Sequence, residues 1–167
     1  MIDAGYVRVM ARYNRWQNQN LYDIAERLPD EERRRERGAF FGSIHKTLNH
    51  LLWADQMWMS RFAGTPKPAA GIPESISVHE AWDDLKRVRA ETDFRIVRWA
   101  ENLDPRWSQG ELTWFSGASK RDVTRPKSIL LMHFFNHQTH HRGQVHCLLT
   151  QAGAKAHVTD LMAMPET

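Results

Sequence analysis

The sequence predicts an all-α protein, a four-helix bundle with a short β-hairpin between its third and fourth helices. Three observations predict it. Four long segments carry apolar residues at three-to-four spacing, the helical period. Between the third and fourth, the pattern changes to β-prone residues around a turn. The chain has 167 residues, enough for one bundle domain over residues 1–167 and too few for two.

The first predicted helix covers residues 3–28. Tyr6, Val9, Tyr13, Trp16, Ile24 and Leu28 form its stripe, broken by Asn20, and Pro29-Asp30 ends it. The second covers 43–63, capped by Ser43 and stopped by Gly64, Pro66 and Pro68. Ile44, Leu48, Leu51, Leu52, Met59 and Phe62 form one stripe, while Trp53, Ala54 and Met57 occupy the opposite side. A helix apolar nearly all round must be covered twice, by the core and by a subunit interface or a site. Asp55 on the leucine stripe calls for an arginine partner across the bundle.

The third predicted helix covers 78–103. Ser77 and Glu80 match a capping box, Trp82, Leu85, Val88, Thr92, Ile96 and Trp99 follow the period, and Asp104-Pro105 closes it. Leu112 to Phe115 and Arg121 to Thr124 then predict a hairpin around Ser116-Gly117-Ala118-Ser119, one that must lean on the helices. The fourth helix covers 126–152, with Pro126 in its first turn and Gly153 at its end. Residues 154–167 give no prediction.

Composition narrows the function classes. Lys plus Arg number 23 against 20 Asp plus Glu, and a net +3 is not the footprint of a nucleic-acid binder. The one cysteine, Cys147, leaves no intrachain disulfide and fits a reducing, cytoplasmic setting; it reads as a small buried hydrophobe. No apolar run is long enough to span a membrane. Arg8, Arg12 and Arg15 stand where a signal peptide needs its apolar core. Arg33-Arg34-Arg35 among Glu31, Glu32 and Glu36 reads as a solvated mixed-charge turn. The chain lacks the Glu-x-x-His pairs of di-iron bundles, and His79-Glu80-Ala81-Trp82-Asp83 misses the second histidine of a zincin helix.

The densest chemistry lies in residues 136–144, Asn-His-Gln-Thr-His-His-Arg-Gly-Gln. His137 and His141 are four apart, so their imidazoles leave one helix face a turn apart and can meet one ion. A catalytic site of the zinc type takes three protein ligands and keeps one position open. By spacing, the third can be His133 or His140 on the same helix, or His45, His50 or His79 elsewhere; the Trp53/Met57 side of the second helix favours His50. Asn49, Asn136 and Gln144 are candidates to orient ligands. Gly143, costly inside a helix by about 1 kcal/mol, suggests close helix packing.

Three segments resemble signatures of the DinB/YfiT-like family: Tyr13-Asn14-Arg15-Trp16, residues 42–55 around His50, and residues 133–144 around His137 and His141. The resemblance implies a four-helix bundle, often a homodimer, with one divalent metal ion, zinc or nickel, on His50, His137 and His141. It implies a metal-dependent hydrolase or a thiol S-transferase that joins a low-molecular-weight thiol, such as bacillithiol, mycothiol or glutathione, to a small electrophile. The alternative is a non-catalytic, damage-inducible metal-binding protein, favoured if His133 or His140 closes the coordination sphere.

Overall fold

Five α-helices and one β-hairpin follow one another along the chain in a computed structural model that describes residues 2–166. They are α1 (Ala4–Glu26), α2 (Asp30–Arg34), α3 (Ile44–Ala63), α4 (Trp82–Glu101), β1 (Glu111–Ser116), β2 (Arg121–Pro126) and α5 (Lys127–Gln151). The four long helices form the bundle, with α1 and α3 each packed against both α4 and α5. The hairpin sits between α4 and α5, antiparallel from Glu111↔Pro126 to Ser116↔Arg121. It leans on the helices as expected: Leu112 and Trp114 pack against the core, and the Trp114 ring lies 5.7 Å from that of Trp58 on α3.

Several ends form for the reasons the residues suggest. Ser43 Oγ accepts from the Lys46 N–H at the start of α3, and Gly64 closes it in the left-handed region. Asp3 caps α1 through the Tyr6 N–H, and Gly153 takes φ +80° after α5.

The start of α4 differs from expectation. The helix begins at Trp82, with Ala81 at its cap and no side-chain cap, so Ser77 and Glu80 form no capping box. Two stronger contacts take the segment away. The Asn49 amide pairs with the His79 backbone, accepting from its N–H at 2.8 Å and donating to its carbonyl at 3.1 Å. Arg34 holds both the Glu80 carboxylate and the Glu80 carbonyl. The basic run is likewise more than a solvated turn. It forms α2, whose buried Arg33 donates to the Ala25 and Leu28 carbonyls at the end of α1 and lies 4.6 Å above the Trp82 ring.

The interior has three layers. One apolar cluster joins Val7, Ala11, Met59, Phe62, Ile96, Leu131, Phe134 and Phe135 at the hairpin end. A second joins Leu21, Ile24, Ile44, Leu48, Leu52, Leu85, Val145 and Leu148 at the other. Between them each long helix contributes polar side chains: Asn14 and Asn18, Asp55, Arg89 and Asp93, Gln138 and Arg142, all buried. Arg89 bridges Asp55 and Asp93 at 2.8 Å each, with the partners 1–4% exposed. Asn18 donates to Asp93, Arg142 to Asn14 and Gln138 to Asp55. Burial pushes the Asp93 carboxyl up to about 6, against the pull of Arg89. The arginine expected opposite Asp55 is therefore Arg89.

This layer explains why the aromatic part of the predicted stripe of the first helix is not its core face. The inward positions of α1 are Val7, Ala11, Asn14, Gln17, Asn18, Leu21, Tyr22, Ile24 and Ala25; of the predicted stripe Ile24 is buried in the core, while Tyr6 is exposed and Val9, Tyr13 and Trp16 are half-buried. The polar network claims the centre of α1 and turns the aromatic stripe outward. The tail settles along that stripe, where the Tyr13 hydroxyl donates to the Thr159 carbonyl and Gln17 donates to that of Val158.

Candidate metal centre

Two short pieces of α5 face in two directions. Gln138 and Arg142, four apart, point into the polar layer, while His137 and His141, also four apart, point away from it toward α3. On α3 the same division falls between Asp55, turned inward, and His50, turned toward α5. Helices that serve a core on one side and a site on the other cannot be simply amphipathic, which is why α3 is apolar nearly all round. Its outer Trp53 and Met57 are covered by the chain's own connector, where Ala70 and Val78 pack on them and Ala70 accepts from Trp53 Nε1 at 2.9 Å.

His50, His137 and His141 come together, one ligand nitrogen of each lying within 4.8 Å of the others. Nε2 of His137 and Nε2 of His141 are 3.1 Å apart. Two nitrogens on one ion at about 2.1 Å stand about 3.4 Å apart in a tetrahedral arrangement and about 3.0 Å in an octahedral one. The observed pair falls between, so the rings already stand at a metal-binding separation.

The other nitrogens are occupied. His50 Nδ1 meets the Ser75 hydroxyl at 2.8 Å, and Ser75 is fully buried in the turn Pro73–Ile76 of the connector. His141 Nδ1 donates to Gln144 Oε1 at 2.7 Å. The Gln144 oxygen fixes the proton of His141 on Nδ1 and leaves Nε2 as its lone-pair nitrogen, while the Ser75 hydroxyl anchors the His50 ring at Nδ1. Burial, then the charge of neighbouring His141, pulls His50 down to about 4; burial, then the surrounding histidines, pulls His137 down to about 3. Burial lowers His141 as well. The rings are neutral at pH 7, the state that binds a metal.

The other sequence candidates fall elsewhere. His45 is buried against Trp82 and Asn49, and His79 pairs with Asp84 at 2.5 Å. His133 stacks edge-on against Trp58, and exposed His140 meets the Gln144 amide. Neither joins the ligand cluster found among the described residues. Of the three amides, Gln144 orients a ligand, whereas Asn49 holds His79 and Asn136 is exposed. Cys147 is exposed rather than buried, because it projects from α5 beside Gln151 on the outer face. Gly143 is also exposed, and a methyl group added there meets nothing within 4 Å, so close packing is not its reason.

Two functional neighbours were not visible in the sequence. Ser75 reaches His50 only through the path of the connector. Phe41 precedes α3 and lays its ring 4.1 Å from His50 and 5.3 Å from His141, walling one side of the cluster. The opposite side opens into a cleft of about 920 Å³ between α3, the connector and the hairpin, whose lining includes His50, His133 and His137.

A family model described as the DinB family matches residues 1–167. Protein DinB of Bacillus subtilis (strain 168) is 31% identical over 156 residues, covering 89% of this chain and 87% of that protein.

Proposed function

The chain belongs to the DinB family, and from that premise we propose that it is a metal-dependent enzyme of thiol or water transfer to a small electrophile. His50, His137 and His141 would hold one divalent ion, zinc or nickel. The observation that carries this reading is the neutral three-histidine cluster, walled by Phe41 and open to the cleft. The donor set fits such an ion: three imidazoles, two of them with Nδ1 anchored, and no fourth protein ligand among the described residues. A divalent ion supplies Lewis acidity, lowering the pKa of a thiol or water so that a nucleophile is available near neutral pH.

The chain's own groups do the rest. Gln144 holds His141 in the ligating tautomer, and Ser75 anchors the His50 ring in place. Trp53, Trp58 and Trp114 line the cleft with apolar surface that binds a small organic molecule and limits the water beside it. The family reading also proposes a homodimer, which light scattering checks.

The test is turnover of the zinc- or nickel-loaded protein with 1-chloro-2,4-dinitrobenzene and, separately, glutathione, bacillithiol and mycothiol. In that reaction the thiol sulfur bonds the aryl carbon, chloride leaves and the thiol proton passes to solvent. Turnover that needs metal and disappears in His137→Ala supports the proposal. A metal-loaded protein inert with every thiol, and with ester substrates in water, replaces it with non-catalytic metal binding.

A further inference from the structure

Arg61 is half-buried in the wall of the cleft, at the far end of α3 from His50. Its guanidinium carbon lies 4.5 Å above the Trp58 ring and 5.3 Å from that of Trp114. The other arginines turned into the fold all find oxygen. Arg33 has the Ala25 and Leu28 carbonyls, Arg37 has Glu32, Arg89 has two aspartates and Arg142 has Asn14. Among the described residues Arg61 has only ring faces. A ring face holds the flat side of a guanidinium and leaves the N–H groups at its edge free for an acceptor.

The surroundings point the same way. Lys67 and Lys120 also line the cleft, and no Asp or Glu does. A chain with 20 carboxylates has kept them all out of this cavity. Burial lowers the Arg61 pKa, so its cation is partly stripped of water with no protein anion to replace it. Three cations on apolar walls give the cleft a positive field that raises the local concentration of anions.

Position adds a second constraint. His50, Ala54, Met57 and Arg61 all line the cleft from α3. The offset from 50 to 61 spans about 16 Å of helix axis. Trp53 and Met57 lie between the two ends, so the middle is apolar.

We propose that Arg61 is an anion-binding residue and that the cleft takes an elongated amphipathic acid. Its carboxylate or phosphate lies on the Arg61 edge, its apolar body along Trp53, Met57 and Trp114, and its reactive end at the histidine cluster. Arg61 does no chemistry in this scheme. It selects the substrate and sets its direction. Only the placement of the reactive end rests on the metal-site reading; the anion site does not.

The test is calorimetric titration of the full chain, metal-free and zinc-loaded, with 4-phenylbutyrate, its neutral amide and 4-phenylbutyl phosphate. A charge-assisted contact to a guanidinium predicts that the acid binds about tenfold or more tightly than the amide, with metal absent as well as present. Arg61→Gln brings the ratio to near one while leaving zinc stoichiometry unchanged, and Arg61→Lys retains part of the preference. The phosphate arm decides which oxyanion the site prefers. Equal binding of acid and amide by the unaltered chain overturns the proposal without any variant. So does an acid preference that survives in Arg61→Gln, which would place the anion on zinc or the lysines. Failure of the chain to bind zinc sinks the metal reading instead, and the metal-free titration still decides Arg61.

Discussion

Arg89→Met removes the cation that bridges two buried carboxylates. Arg89 donates to Asp55 and Asp93 at 2.8 Å each, and all three side chains are at most 4% exposed. Breaking one side of a buried ion pair costs about 3–5 kcal/mol, because the partner charge stays behind without compensation. Here two partners stay behind. Asn14, Asn18 and Gln138 still donate to them, which keeps the loss within that range rather than doubling it. Against a total stability of about 5–15 kcal/mol, the variant loses a third or more of what holds it folded. Urea unfolding of the metal-free chain, followed by far-ultraviolet circular dichroism, measures the difference. Changing Asp55→Asn, Arg89→Met and Asp93→Asn together should cost less than Arg89→Met alone, because neither carboxylate is then stranded and Arg142 keeps its contact with Asn14. A loss under about 1 kcal/mol in Arg89→Met would refute the reasoning, since it would mean that the layer is hydrated or its carboxylates already protonated.

Ser75→Ala frees Nδ1 of His50 and should weaken zinc affinity about 10- to 100-fold with little change in metal-free stability, read by competition with a chromogenic chelator. The metal-free chain should lose stability on acidification. His50, His137, His141 and His45 are all held below the ordinary 6.5 by burial, so the unfolded chain binds more protons than the folded one. Their contribution is complete above pH 6.5 and drains away as the pH falls toward the folded values of about 4 and about 3 for His50 and His137; melting temperatures at pH 7.5, 6 and 5 test the sign. Gly143→Ala, on the exposed side of α5 with open space around it, should stabilise by about 1 kcal/mol in the same urea assay.

The bundle was legible because its signals are local and redundant. Period, Ser43 and Gly64 all agree on α3, and Pro126 and Gly153 bracket α5 to within a residue. His137 and His141 were legible by spacing, and His50 needed the resemblance, because no local rule joins two helices. Asp55 announced a partner by sitting among leucines, though not that Arg89 would also carry Asp93. What failed was decided by tertiary contacts. The capping box at Ser77 and Glu80 lost to Asn49 and Arg34, each reaching across from another element. The aromatic part of the α1 stripe turned outward because Asn14 and Asn18, poor core residues by composition, were claimed by the polar layer. Ser75 lies 25 residues from His50, in a connector whose path no pattern reveals.

On the proposed function, α3 and α5 jointly hold one ion through His50, His137 and His141. Elemental analysis of untagged protein, after zinc or nickel loading and gel filtration, tests it beside His50→Ala and His137→Ala. Close to one ion per chain is expected in the unaltered protein, with loss of it in both variants. Full occupancy in His50→Ala with loss in His137→Ala would confine the site to α5, and no bound ion in the unaltered protein would contradict the metal centre altogether.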